Sequence, residues 1–342
     1  MKKKLMSAGS LLALLGVASC TDVMPVTPTM STTTANRAIA STGSEEASEV
    51  SPVLADMNRQ LAASGANVRI AKAELIMDGA TWNGATSTLI FASDRYRGIT
   101  SEWVPGDPRR DGRVGVNYAV GSSHWGPAVT ADNGSQQLVP DAQLDAQIEE
   151  AMSAWRGQSC SAPITRTAIA EGTDPDILDN VFRGTAPGPH YVQAADIVQG
   201  GWQPGSFFRT IAGGTAGNNI IGVTFTFVFT DANDVATDID HNGKGDIGLA
   251  EIFYNSRFVW SARALPGSVD FYSILTHETG HALGLGHFGK LFVTKHAAAD
   301  GIQLADIKYA PYAIMNAAYV AGRNEIAGTD HSSFCQLWAY AK

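Results

Sequence analysis

The segment HETGHALGLGH, His277 to His287, puts three of the chain's 8 histidines and one glutamate into a short, apolar, glycine-rich run. On a helix, His277 and His281 stand four positions apart and project from one face, a turn above each other. Two imidazoles so placed can hold one Zn²⁺. Gly284 tolerates positive φ, so the helix can end there and the chain can turn sharply. That turn lets His287 return as a third ligand. Three protein ligands leave one coordination position open, the arrangement of a catalytic zinc rather than a structural one. Glu278 is placed to take a proton from a water attacking an amide and to return it to the leaving amine. The other readings of these residues are a helix with surface histidines and a metal site without catalysis; Glu278 argues against the second.

Working outward, the apolar periodicity predicts a helix over residues 269–283 that carries this motif. The strongest strand signal is Ile220 to Phe229 (IIGVTFTFVF), rich in β-branched and aromatic residues. Further strands are expected at 68–77, 113–120, 164–170, 195–198 and 251–255. Helices are expected at Pro52–Ala63, Pro140–Trp155 and, closing the chain, Ser332–Ala341. The chain has no internal repeats.

Bulk composition agrees with a folded protein. Of 342 residues, 44% are hydrophobic and 17% charged, which leaves material for a sizeable core. The net charge of −9 argues against nucleic-acid binding, which needs a basic footprint. Beyond the N-terminus no apolar run approaches the ~20 residues of a membrane span.

The N-terminus reads as an exported signal (residues 1–19): Lys2-Lys3-Lys4 precede the apolar run Leu11 to Leu15. Val17-Ala18-Ser19-Cys20 resembles a bacterial lipobox, which implies cleavage before Cys20 and lipid on that residue. The other reading is an ordinary signal peptide with a stray cysteine. Lipidation would put the protein in the bacterial cell envelope, at the outer membrane or cell surface, touching membrane only through its lipid. Residues 20–50, rich in Thr, Ser, Ala and Pro, read as a flexible tether. Residues 51–100 read as a pro-segment or an N-terminal extension, and 101–342 as the catalytic domain. With Cys20 lipidated, Cys160 and Cys335 are one even pair in an oxidising compartment, either a disulfide or two buried thiols.

H-E-x-x-H-x-x-G-x-x-H is the signature of the metzincin zinc metalloproteases, and residues 277–287 match it. These enzymes carry a methionine turn downstream. Tyr312-Ala313-Ile314-Met315-Asn316 resembles it, with Met315 the matching residue. Over roughly residues 100–342 the likeness is to matrixins, especially secreted bacterial ones. It implies an α+β fold: a twisted mixed sheet, mostly parallel, with the active-site helix below and a C-terminal helix. It implies a zinc endopeptidase acting on protein or peptide substrates in extended conformation. It also implies that Tyr319 walls the S1′ pocket. The edge strand for the substrate is expected within Ile220–Phe229, since an unpaired edge offers backbone donors and acceptors. Phe288 stands where matrixins usually have Ser, and Ala317-Ala318 replace an expected proline. No cysteine-switch motif occurs upstream, so latency would not use a thiolate on zinc. A non-catalytic metzincin-like lipoprotein that binds a peptide or matrix partner is the competing expectation, and a monomer is expected in either case.

Asp238, Asp240, Asn242 and Asp246 surround Gly243. Hard oxygen ligands so spaced suit Ca²⁺, although the pattern is not an EF-hand; the alternative is a solvated turn. His124, His190, His241, His296 and His331 show no ligand spacing. Trp202, Trp260 and Trp338 read as packing residues.

Overall fold

The computed structural model describes residues 48–80, 87–121, 139, 141–182, 193–293 and 307–338, all within one compact unit, Ala38–Lys342. Cys20, the signal segment, most of the tether, and His124, His190 and His296 lie outside the described residues. In chain order the elements are β1 (Ser48–Val50), α1 (Pro52–Ala63), β2 (Val68–Asp78), β3 (Leu89–Phe91), α2 (Asp94–Arg97), β4 (Ser101–Glu102) and β5 (Val116–Val120). Then follow α3 (Asp141–Arg156), β6 (Ile164–Arg166), α4 (Leu178–Phe182), β7 (Ile197–Gln203), α5 (Gly205–Ala212), β8 (Ile220–Phe229) and β9 (Gly245–Asn255). The last part contains β10 (Trp260–Ser261), β11 (Val269–Asp270), α6 (Phe271–Ala282), β12 (Lys290–Val293), β13 (Ile307–Ala310), β14 (Ala318–Tyr319) and α7 (Gly328–Trp338). The class is mixed α and β around a mixed sheet.

The main sheet runs β1-β3-β2-β8-β9-β7-β5-β6, with β14 added beside β2 and β4 beside β9. From β9 through β7 and β5 to β6 the pairs are parallel, while β3–β2, β2–β8 and β8–β9 are antiparallel. Side chains alternate between the two faces along each strand. One face packs on α3, α6 and α7, for example Ile252 and Tyr254 with Trp155, Phe271 and Phe334. The other packs on α1, α4 and α5, where Leu75, Phe225 and Phe253 meet Leu54, Leu178 and Phe207. Each such fully buried side chain contributes about 1.5–3 kcal/mol.

Three sequence expectations change here. Ile220–Phe229 is a strand as expected, but it is not an edge: β2 pairs along one side and β9 along the other. The run is buried at every position, Thr224 and Thr226 included, the pattern of an interior strand with both faces covered. Residues 48–50, assigned to the tether, form β1 and pair with β3. α1, α4 and α5 form a second helical layer, and β2, from segment 51–100, pairs in the same sheet with β8. Local capping accounts for the bounds of α1. Ser51 caps α1 by accepting from the Leu54 amide at 3.4 Å, and Pro52 sits in the first turn. The closing helix starts at Gly328 rather than Ser332.

Candidate metal centre

Helix α6 begins where Asp270 accepts from the Ser273 amide at 3.3 Å and ends at Leu283. Gly284 follows at φ +99°, the left-handed turn its lack of a Cβ allows. That turn brings the third histidine back. The Nε2 atoms of His281 and His277 are 3.0 Å apart, those of His281 and His287 3.0 Å, and those of His287 and His277 3.3 Å.

The protons of two of these rings, His277 and His281, are accounted for. His277 Nδ1 donates to the Ile314 carbonyl at 2.7 Å, and His281 Nδ1 to the Leu285 carbonyl at 2.8 Å. A carbonyl only accepts, so each Nδ1 carries the proton and each Nε2 presents a lone pair. Lone pairs facing at 3.0 Å repel unless a cation lies among them. Four ligands at 2.0–2.1 Å in a tetrahedron stand about 3.3–3.4 Å from one another, close to the spacing here. The donor set therefore fits a zinc ion. Burial pushes the His281 imidazole well below its ordinary value, and the neighbouring rings of His287 and His277 push it further.

That shift has a sign. The folded protein takes up fewer protons than the unfolded chain once pH falls below the free imidazole value of about 6.5. The His281 contribution to folded stability is thus complete at neutral pH and is lost on acidification below that value, and a metal held by these rings would be released over the same range. A zinc-release titration from pH 8 to pH 4 is expected to show release only on the acid side; release on the alkaline side would contradict the assignment.

Glu278 is fully buried beneath β8. Thr224 Oγ1 donates to Glu278 Oε2 at 2.6 Å, while Oε1 accepts no hydrogen bond among the described residues. Gly222 makes room for this carboxylate, since a Cβ there would come within 2.8 Å of Oε1. Burial pushes the Glu278 carboxyl well above the usual range; the Thr224 hydroxyl opposes this and the Glu74 charge adds to it. A dication nearby would draw it back down.

Met315 is fully buried, and its place is set from α7. Asp330 accepts from the Ile314 amide at 2.9 Å, the Met315 amide at 3.2 Å and the Ala327 amide at 2.8 Å. Met315 packs on Gly280, where any Cβ would overlap its sulfur. Asn316 Nδ2 donates to the Phe288 carbonyl at 2.7 Å, which ties the turn to the segment after His287. Three indoles hold carbonyls of α6 and its C-cap: Trp155 on Thr276 at 2.8 Å, Trp103 on Ala282 at 2.8 Å and Trp338 on Leu283 at 3.2 Å. Trp202 and Trp260 pack on Phe271 at its start. Tyr319 OH accepts from the Asp270 amide at 2.9 Å, and burial pushes its phenol up to about 12.

Sequence reasoning missed Asp330, Thr224, Gly222, Glu74 and the positions of Trp103 and Trp155. Gly280 did leave a signal, as a glycine inside a helix is costly without a packing reason. The others act across strand and helix pairings that no local pattern reports.

Of the four acidic-loop residues, the carboxylates of Asp238, Asp240 and Asp246 come together, with one oxygen of each within 4.8 Å of the others. Asn242 adjoins them: its amide donates to Asp238 at 3.0 Å, its Nδ2 donates to Asp240 at 2.9 Å and faces Glu102, and its side-chain oxygen accepts from the Lys244 amide at 2.9 Å. Asp246 already binds Arg109 at 2.6 Å. Burial and the neighbouring Asp238 and Glu102 charges raise the Asp240 carboxyl.

Cys160 and Cys335 form a disulfide with Cα atoms 5.3 Å apart, joining the region after α3 to α7 across 175 residues. His331 lies beside it and meets Gln158 at 2.7 Å. Replacing both cysteines by serine is expected to lower stability by about 3–5 kcal/mol in the chain-entropy account of so long a loop. Denaturant unfolding of the two forms measures this, and equal midpoints would contradict it.

No model of a known protein family matches this chain, and no curated protein matches it.

Proposed function

We propose that this chain is a zinc-dependent endopeptidase of the metzincin type, nearest to matrixins, exported and anchored through lipid on Cys20. The observation that carries the reading is the convergence of three Nε2 atoms at 3.0–3.3 Å, with the buried carboxylate of Glu278 next to His277 on α6. The packing of Met315 on Gly280 and the mixed sheet over α6 support it.

His277, His281 and His287 would hold the metal. Bound zinc supplies polarisation of the substrate carbonyl and acidification of water. Glu278 receives the proton of the attacking water on its carboxylate and delivers it to the departing amine. Thr224 keeps that carboxylate in one orientation, and Gly222 admits it under β8. Tyr319, held by the Asp270 amide, borders the pocket beside His277. Calcium at Asp238, Asp240, Asn242 and Asp246 belongs to the same reading as a clamp on the loop that precedes β9.

A second reading, a metzincin-like lipoprotein that binds a peptide or matrix partner without cutting it, is favoured by the complete burial of Glu278 and His281. One experiment separates the two. Folded protein is assayed for zinc content and for cleavage of a quenched peptide library, with and without chelator. Bound zinc with chelator-sensitive cleavage supports the peptidase. Bound zinc without cleavage in any form of the chain favours the binding protein, and absence of transition metal sinks both.

A further inference from the structure

We propose that β2 is an intramolecular occupant of the peptide cleft and keeps the folded chain latent; this rests on the peptidase reading above. Peptides that bind at a sheet edge use main-chain bonds for affinity and pockets for alternate side chains for selectivity. β2 has both features. Its backbone pairs antiparallel with β8, from Val68 opposite Phe229 to Met77 opposite Ile220. On its other side it pairs parallel with β14, Met77 opposite Ala318 and Asp78 opposite Tyr319.

The side chains that face α6 reach the metal centre. Ile76, 3% exposed, sits in a pocket with Ile274, His277, Ile314, Ala318 and Tyr319, leaving a cavity of only about 10 Å³. Two residues earlier, Glu74 Oε1 lies 3.4 Å from His281 Nδ1, and Lys72 Nζ lies 2.8 Å from Glu74 Oε2. The stretch Glu74-Leu75-Ile76 therefore spans the histidine cluster, with one end against His281 and the other against His277. A buried ion pair adds little stability to a sheet interior. Glu74 meets His281 on its Nδ1 edge, the side of the ring turned away from the converging Nε2 atoms, and so stands behind that imidazole and orients it. Being part of the same chain, β2 also competes at a high effective concentration against any free peptide.

The opposite face of β2 joins α1 through Leu75 and Met77 in the second core. The strand thus leaves as a unit with α1 rather than by fraying, which makes the block persistent. No thiolate is involved, in keeping with the missing cysteine motif.

The test uses the full chain, zinc-loaded, as wild type and as Ile76→Ala/Glu74→Gln. Folding is checked by circular dichroism. Two quantities are read: the rate of zinc release to a chromogenic chelator, and cleavage of a quenched peptide library. Both are expected to rise about tenfold or more in the variant, the scale set by losing a buried isoleucine side chain. A synthetic peptide of residues 68–78 should reverse the gain in cleavage. Unchanged release and cleavage in the folded variant would overturn the proposal, while cleavage by the wild type would leave the peptidase reading standing. Faster zinc release with no cleavage anywhere would instead leave β2 as a cover over the metal and overturn its role in latency together with the peptidase. If the variant does not fold, Ala73→Cys/Phe225→Cys, a directly opposed pair, ties β2 to β8. Zinc release from that tethered form should be slower than wild type, and an equal rate overturns the proposal.

Discussion

Glu278→Gln is expected to lower peptide cleavage by about 10²–10⁴-fold, the range for loss of a general acid–base, while zinc content stays at the wild-type level. The substitution keeps side-chain length and an oxygen to accept from Thr224, so the helix and its three ligands should keep their places. What it removes is the basic oxygen at Oε1, the one without a hydrogen-bond partner among the described residues. The measurement compares chelator-sensitive cleavage and bound zinc on the same sample, in whichever form of the chain cleaves. Equal cleavage by the two proteins would remove Glu278 from the chemistry. Loss of zinc alongside activity would assign it a structural role.

The second large effect comes from a residue that touches no substrate. Gly280→Ala should destabilise the protein by about 1–3 kcal/mol, the cost of overpacking a filled core. It should also weaken zinc binding, because the added methyl overlaps Met315 Sδ and lies 3.0 Å from Trp155 Cζ2. Relief of the clash must move either the Met315 segment or α6, and each carries or orients one of the clustered imidazoles. His281 is the next residue along the helix, and Ile314, beside Met315, holds His277 Nδ1. Pairing the change with Met315→Ala tests the mechanism. If the clash is with that sulfur, the double variant is less destabilised than the sum of the singles. Strict additivity in denaturant unfolding would place the damage elsewhere.

The histidine cluster was legible in the sequence because its members are local. His277 and His281 share a helix face, and a positive-φ glycine brings back His287, so spacing alone sets their geometry. Helix α1 was legible for the same reason, with its cap and its proline next to an amphipathic run. Strand β8 was legible as a strand but not as an interior one. Its composition reports β structure and burial; it does not report which segment supplies the second partner.

What the sequence determined by itself is the donor set, its spacing and the class of chemistry those groups can support. Only the tertiary structure decided who stands next to them. The partners of Glu278, the anchoring of Met315 by Asp330, and the lodging of Ile76 and Glu74 against the histidines all join residues far apart in the chain. Helix geometry follows from dihedral angles within a turn, whereas strand pairing is settled by the competition of distant segments for one edge, which no local pattern encodes.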